Sequence, residues 1–209
     1  MEPRILRIVY EAKQRDFADR VNEATRPDVV YVTDLTSCSQ KRLFRLAMPL
    51  LSFRFEPPML LGELVHLGLE RLLEQEGWVT ELEIVKHYEV DGVRYELRGR
   101  ADAVRIEDGR VVEVVEIKTA RSIDKPLEHH ALQLQIYMQL LGAERGYLVY
   151  ITPDKIVEYS VDPGDVDIER LLAETVRNTA HPRFEWECRY CPYRRYCPYA
   201  RASQHQAEH

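Results

Sequence analysis

Two sets of residues in this 209-residue chain have the types and spacing to do chemistry. The first is CRYCPYRRYCP, Cys188 to Pro198, which holds three of the chain's four cysteines. A Cys-x2-Cys-x5-Cys run is too tight for three separate disulfides. Thiolates at that spacing suit a metal ion or cluster whose fourth ligand comes from elsewhere. The second is GRADAVRIEDGRVVEVVEIKTA, Gly99 to Ala120. Strand residues two apart share a face, so Glu116 and Lys118 point the same way at the end of a very apolar strand. Burying such charges is costly unless they are paired or metal-bound, and a salt bridge between neighbours is the plain alternative.

Whether Asp102, on the preceding strand, joins Glu116 depends on the turn. A two-residue Asp108–Gly109 loop would pair Asp102 with Val115, on the wrong face. A three-residue Glu107–Asp108–Gly109 loop pairs Ile106 with Arg110, which sets Asp102 opposite Val114 and diagonal to Glu116. Glycine at the third loop position suits the left-handed conformation, so the three-residue loop is predicted. Asp102 and Glu116 could then hold one divalent cation, with the main-chain carbonyl of Ile117 as a further ligand. Such an ion lowers the pKa of a bound water and stabilises a phosphorane-like transition state. Lys118 would orient or deprotonate that water, or neutralise developing charge.

These groups must be positioned by the elements around them. A helix is predicted over about Arg4 to Asn22, then a short extended piece at Val29–Val32. TDLTSCSQKRLFRLAMP reads as capped helix stopped by Pro49, with Cys38 in its first turn. PPMLLGELVHLGLERLLEQEGW is a second helix, opened by prolines, ended by Gly77 and carrying His66. Alternation then predicts a three-stranded meander through Lys118. LEHHALQLQIYMQLLG is a helix ending before Gly142, where Gln133 and Tyr137 lie one turn apart on one face. A hairpin around Pro153–Asp154 and a final helix precede the cysteines, and the tail 201–209 is expected to be disordered. Strands flanked by helices imply a mixed α/β (α+β) fold with a central sheet. The whole of 1–209 is expected to be one domain.

Composition, 45% hydrophobic and 31% charged, is that of a soluble globular protein. No stretch could span a bilayer, and the N-terminus does not read as a secretory signal, so a cytoplasmic location without membrane contact is expected. Disulfides are rare there, which favours metal or cluster ligation by the cysteines. The net charge of −6 argues against nucleic acid as a whole, yet both cysteine-bearing segments are basic. Lys41, Arg42, Arg45 and Arg54 follow Cys38 without an acid, and five arginines from Arg183 to Arg201 outnumber Glu185 and Glu187. A solvated surface is the plain reading of such charges. High Glu and Arg with two asparagines hint at a thermophilic source.

GRAD followed by EIK resembles the G-x-x-D and E-x-K motifs of the RecB-like branch of the PD-(D/E)xK nuclease superfamily. Gln133-x3-Tyr137 is similar to that branch's Q-x3-Y motif, and His66 sits where the family carries a metal-binding histidine. Ala101, in place of proline before the aspartate, is a departure at a loose position. One cysteine before these motifs and three after, spaced C-x2-C-x5-C, is the pattern of the fourth CRISPR-associated protein family (Cas-four). The resemblance implies a restriction-endonuclease-like mixed sheet, with N- and C-terminal segments (23–60 and 181–200) joined by a cluster on Cys38, Cys188, Cys191 and Cys197. It implies Mg²⁺ or Mn²⁺ on His66, Asp102, Glu116 and the Ile117 carbonyl, with Lys118, Gln133 and Tyr137 catalytic or supporting. It further implies single-stranded DNA as substrate, five-prime to three-prime exonuclease action, and trimming of spacer precursors beside the CRISPR adaptation integrase proteins.

A four-thiolate site would close a loop of about 150 residues, a staple in the entropic picture. Four cysteines suit tetrahedral zinc equally well. The resemblance, not the spacing, favours an iron–sulfur cluster, 4Fe-4S by family habit, with 2Fe-2S open. The basic segments are expected to lead DNA toward the metal centre, with Tyr190, Tyr193 and Tyr196 stacking on bases or packing the cluster. No G-x4-G-K-[ST] motor motif is present. The alternatives are a non-catalytic DNA-binding scaffold with a structural metal, and a nuclease module of a repair helicase complex.

Overall fold

In the computed structural model, which describes residues 3–53 and 55–201, the alternating middle of the chain forms the expected meander. Strands β2 (Val79–Val90), β3 (Val93–Glu107) and β4 (Arg110–Thr119) are antiparallel neighbours. The short β1 (Val29–Tyr31) runs parallel to β3, and β5 (Arg145–Ile151) runs parallel to β4 and pairs with the antiparallel β6 (Ile156–Val161). The result is one mixed six-stranded sheet flanked by helices. Arg54 and the tail beyond Arg201 lie outside the described residues.

Two helices sandwich the sheet. Helix α5 (Glu128–Leu141) makes the crossover between the parallel β4 and β5, and packs Leu134, Ile136 and Met138 into a core with Val104, Val114 and Leu148. Helix α4 (Pro57–Gln75) covers a second cluster of Ala103, Val115 and Ile117 with Val65, Leu69 and Leu73. Each such side chain, fully buried, contributes about 1.5–3 kcal/mol. Helix α1 (Arg4–Ala24) buries no residue. The short α2 (Val32–Leu35) and α3 (Ser39–Ala47) pack on α6 (Ile168–Val176), and α7 (Glu187–Tyr190) carries Cys188.

The turn between β3 and β4 differs from the expectation. Glu107 pairs with Arg110, so the loop is the two-residue Asp108–Gly109, not the three-residue one. Both residues have positive φ, +49° and +75°, the type I′ geometry that aspartate tolerates and glycine favours. A register shift then follows: Ile106 faces Val111 but Arg105 faces Glu113, so Val112 is an extra residue in β4. The ladder continues to Ala103 opposite Val115, and the next step brings Asp102 level with Glu116 rather than with Val114 or Val115.

The sheet also leaves a notch. β2 occupies one edge of β3 from Val93 to Val104. The other edge is shared by β1, at Glu96–Arg98, and β4, from Ala103 onward. Residues Gly99 to Asp102 have no strand partner on that edge. Their polar groups must find side chains, which is where the candidate site forms.

Candidate active site

At the notch, Asp102 replaces the missing ladder partner. Its Oδ2 accepts the Ile117 N–H at 2.6 Å, while its Oδ1 lies 3.5 Å from His66 Nδ1 on α4. Glu116 is only 2% exposed, and its Oε1 receives Lys118 Nζ at 2.5 Å and Gln133 Nε2 at 2.7 Å. Gln133 turns its own Oε1 to Lys118 at 3.2 Å and its amide nitrogen to the Tyr137 hydroxyl at 3.3 Å. Gln133 therefore locks carboxylate and ammonium into one arrangement. Gln133 and Tyr137 are both buried, so the helix face that carries them is not part of the solvated surface. Tyr137 also faces the backbone N–H of Arg100, on the unpaired edge.

Gly99 of GRAD has a steric reason. A β-carbon there would come within 2.6 Å of Tyr137 Cε1 and 2.9 Å of Val32 Cγ2. Only glycine lets the ring lie against β3.

Burial sets the electrostatics. Desolvation pushes the Glu116 carboxyl up to about 7; the Asp102 charge adds to the rise and Lys118 opposes it. His66 is raised, chiefly by its contact with Asp102. Burial raises the Tyr137 phenol and lowers His130 to about 3, so that His130 stays neutral.

His66, Asp102, Glu116, Lys118, Gln133 and Tyr137 all line one groove of about 750 Å³, walled by Phe17 of α1 and Phe53. The residues fit a divalent cation: Glu116 Oε2 and Glu70 Oε1 are buried carboxylate oxygens with no hydrogen-bond partner. His66, Glu70 and Asp102 offer ligand atoms within 4.8 Å of one another. Glu70 went unnoticed in the sequence, although His66-x3-Glu70 on a helix was a readable signal.

The four cysteines also come together. Cys38 caps α3, and it lines one cavity with Cys188, Cys191 and Cys197, all as free thiols. Burial raises the Cys38 thiol to about 11 and raises Cys191 as well, so a metal bound there displaces protons. The segments are joined by Glu187, counted in the sequence only as an acid offsetting arginines. Its Oε1 accepts Cys38 N–H at 2.8 Å and Lys41 Nζ at 2.7 Å, and its Oε2 accepts the N–H groups of Arg183 and Phe184, each at 3.0 Å. Tyr193 stacks on Phe44 at 4.8 Å and is buried, so it packs; Tyr190 and Tyr196 are 71% and 60% exposed.

The first basic segment is largely consumed by the fold. Arg42 is buried and donates to the Pro27 carbonyl, Arg45 bonds Asp34 and the Ala24 carbonyl, and Lys41 pairs with Glu187. Arg183 is likewise held by Glu174. The exposed arginines are Arg189, Arg194, Arg195 and Arg201 in the C-terminal segment.

With this geometry in place, known proteins supply the family. Residues 73–198 match the model of the PD-(D/E)XK nuclease superfamily. The CRISPR-associated exonuclease Cas4 of Saccharolobus solfataricus is 39% identical over 186 residues, 85% of this chain and 91% of that protein. The chain belongs to the Cas4 exonuclease family. The crystal structure of SSO0001 superposes with a TM-score of 0.83 at 35% identity, over 93% of this chain and 98% of that one. The alkaline exonuclease LHK-Exo of Laribacter hongkongensis shares the fold at 18% identity (TM-score 0.50, 76% of this chain and 91% of that one). The chain is thus a nuclease of the Cas4 family, with the restriction-endonuclease-like sheet that its motifs implied. Among the described residues no helix is long and apolar enough to cross a membrane.

Proposed function

We propose that this protein is a divalent-metal-dependent DNA exonuclease that acts on single-stranded ends, five-prime to three-prime, in the cytoplasm. The observation that carries the reading is the convergence of His66, Asp102, Glu116 and Lys118 on one groove, with Gln133 bridging Glu116 and Lys118. His66, Asp102, Glu116 and the Ile117 carbonyl would hold Mg²⁺ or Mn²⁺. Bound there, the ion supplies an acidified water and charge neutralisation at the scissile phosphate. Lys118, aimed by Gln133, places its ammonium at the attacking or leaving oxygen, a contribution of about 10²–10⁴-fold. Tyr137 holds Gln133 in place and shields the pair from water.

Cys38, Cys188, Cys191 and Cys197 would hold an iron–sulfur cluster, supported by four free thiols on one cavity. Exposed Tyr190, Tyr196, Arg194 and Arg195 would meet DNA beside it. Kinship with the Cas4 exonuclease supports a role in trimming spacer precursors beside the CRISPR adaptation integrase proteins. The test is Lys118→Met assayed on end-labelled single-stranded DNA with Mn²⁺. Cleavage should fall at least a hundredfold while DNA affinity is retained, whereas equal cleavage by parent and variant rejects the assignment. An absorption band near that of iron–sulfur proteins should accompany the purified protein; a colourless, zinc-loaded one would replace the cluster and leave the nuclease reading intact.

A further inference from the structure

We propose that Glu70 is a further ligand of the divalent cation held at His66 and Asp102. The inference rests on the metal-dependent nuclease reading above and adds a residue to it. His66 and Glu70 are one turn apart on α4, so their side chains share a face, and Glu70 Oε1 lies 3.6 Å from His66 Nδ1. Asp102 Oδ1 lies 3.5 Å from the same nitrogen. The ligand atoms of the three residues fall within 4.8 Å, a span that one ion bridges with bonds of about 2.0–2.4 Å.

Glu70 has no other evident employment. Its residue is 6% exposed, and Oε1 has no hydrogen-bond donor. A carboxylate in that state is costly unless a cation meets it. Among the described residues no lysine or arginine forms an ion pair with it. Lys118 is committed to Glu116 and Gln133, and Arg100 pairs with Glu81. Glu70, Asp102 and Glu116 are three buried carboxylates, and the Lys118 ammonium is bonded to Glu116, so a divalent ion beside His66 would meet Glu70 and Asp102. α4 thus brings two ligands and β3 one, beside the Glu116 carboxylate and Ile117 carbonyl of β4, and the ion would fasten the helix to the unpaired edge of the strand.

The alternative role is orientation, in which Glu70 only accepts a proton from His66 and fixes the ring. Glutamine retains an acceptor oxygen at the same reach, so Glu70→Gln separates the two. Mn²⁺ binding is titrated by electron paramagnetic resonance on the parent, Glu70→Gln and Asp102→Asn proteins, with no DNA and no turnover. If Glu70 is a ligand, Glu70→Gln weakens Mn²⁺ binding at least tenfold, and Asp102→Asn does so too. If Asp102→Asn weakens binding and Glu70→Gln stays within twofold of the parent, Glu70 is no ligand and the nuclease metal site survives. If both variants bind as the parent does, no ion occupies the notch, and both the inference and the metal site fall. Thermal melting gives a second readout. Without metal, Glu70→Gln should melt above the parent, since an unmet buried charge has been removed, and its rise in Tm on adding Mn²⁺ should be smaller. A rise equal to the parent's overturns the proposal.

Discussion

Removing the Glu187 carboxylate should unfasten the C-terminal cysteine segment from Cys38. The side chain is 2% exposed and receives the N–H groups of Cys38, Arg183 and Phe184 together with the Lys41 ammonium. In Glu187→Ala three backbone donors and one partly buried cation lose their acceptor at once. Each unsatisfied donor costs about 1–3 kcal/mol if it stays buried, and breaking one side of a buried ion pair costs about 3–5 kcal/mol. Local relaxation admits water to some of these groups, so we expect a net loss of about 3–5 kcal/mol. That is a large share of the roughly 5–15 kcal/mol that keeps a domain folded. Glu187→Gln keeps an acceptor oxygen but loses the charge, and should fall between. The assay is urea denaturation of each protein, with metal content measured on the same preparations. The pH dependence supplies an independent check. The hydrogen bonds from Lys41 and the backbone, against the opposing desolvation, leave the Glu187 carboxyl below its ordinary value of 4.5. A depressed carboxylate stabilises the fold above about pH 4.5, and that stability is lost as pH falls through the folded-state value. The parent should therefore lose stability on acidification more steeply than Glu187→Gln. A Glu187→Ala protein within about 1 kcal/mol of the parent, with full metal content, would refute the reasoning.

Three further outcomes follow from the same geometry. Gly99→Ala drives a methyl into Tyr137 and Val32, and should cost about 1–3 kcal/mol in the melt. By shifting Tyr137 and Gln133 it should also slow cleavage about tenfold to a hundredfold. The Glu116 carboxyl has the opposite sign to Glu187: raised to about 7 by burial, its own contribution to the stability of the metal-free fold is fully present below about pH 4.5. That contribution drains away toward pH 7, so denaturation midpoints in chelator should fall over this range and flatten in Glu116→Gln. Reversing both Arg194 and Arg195 to glutamate should weaken single-stranded DNA binding. Its salt slope should shrink by about 0.7 for each phosphate that the protein ceases to neutralise; an unchanged slope removes both arginines from the DNA path.

The chemistry was legible because it is local. Glu116 and Lys118 are two residues apart on a strand, Gln133 and Tyr137 four apart on a helix, and the C-x2-C-x5-C run is contiguous. Period and spacing alone put each set on one face or in one knot. The order of elements, the meander and the crossover helix also followed from hydrophobic period and from turn residues such as Asp91–Gly92 and Gly142.

What local pattern could not supply is how distant pieces meet. The level of Asp102 against Glu116 depends on an extra residue at Val112, and a bulge is invisible to strict alternation. The burial of Gln133 depends on the notch where β1 and β4 share one edge of β3. Glu187 looks like one more surface acid until the fold lays it against a backbone N–H 149 residues away. Arg42 and Arg45 look like a DNA-binding patch until carbonyls and Asp34 claim them. Residue type determined which groups could bind metal or move a proton. Only the tertiary structure decided which charges were buried together, because desolvation and pairing are properties of the assembled environment and not of the residue.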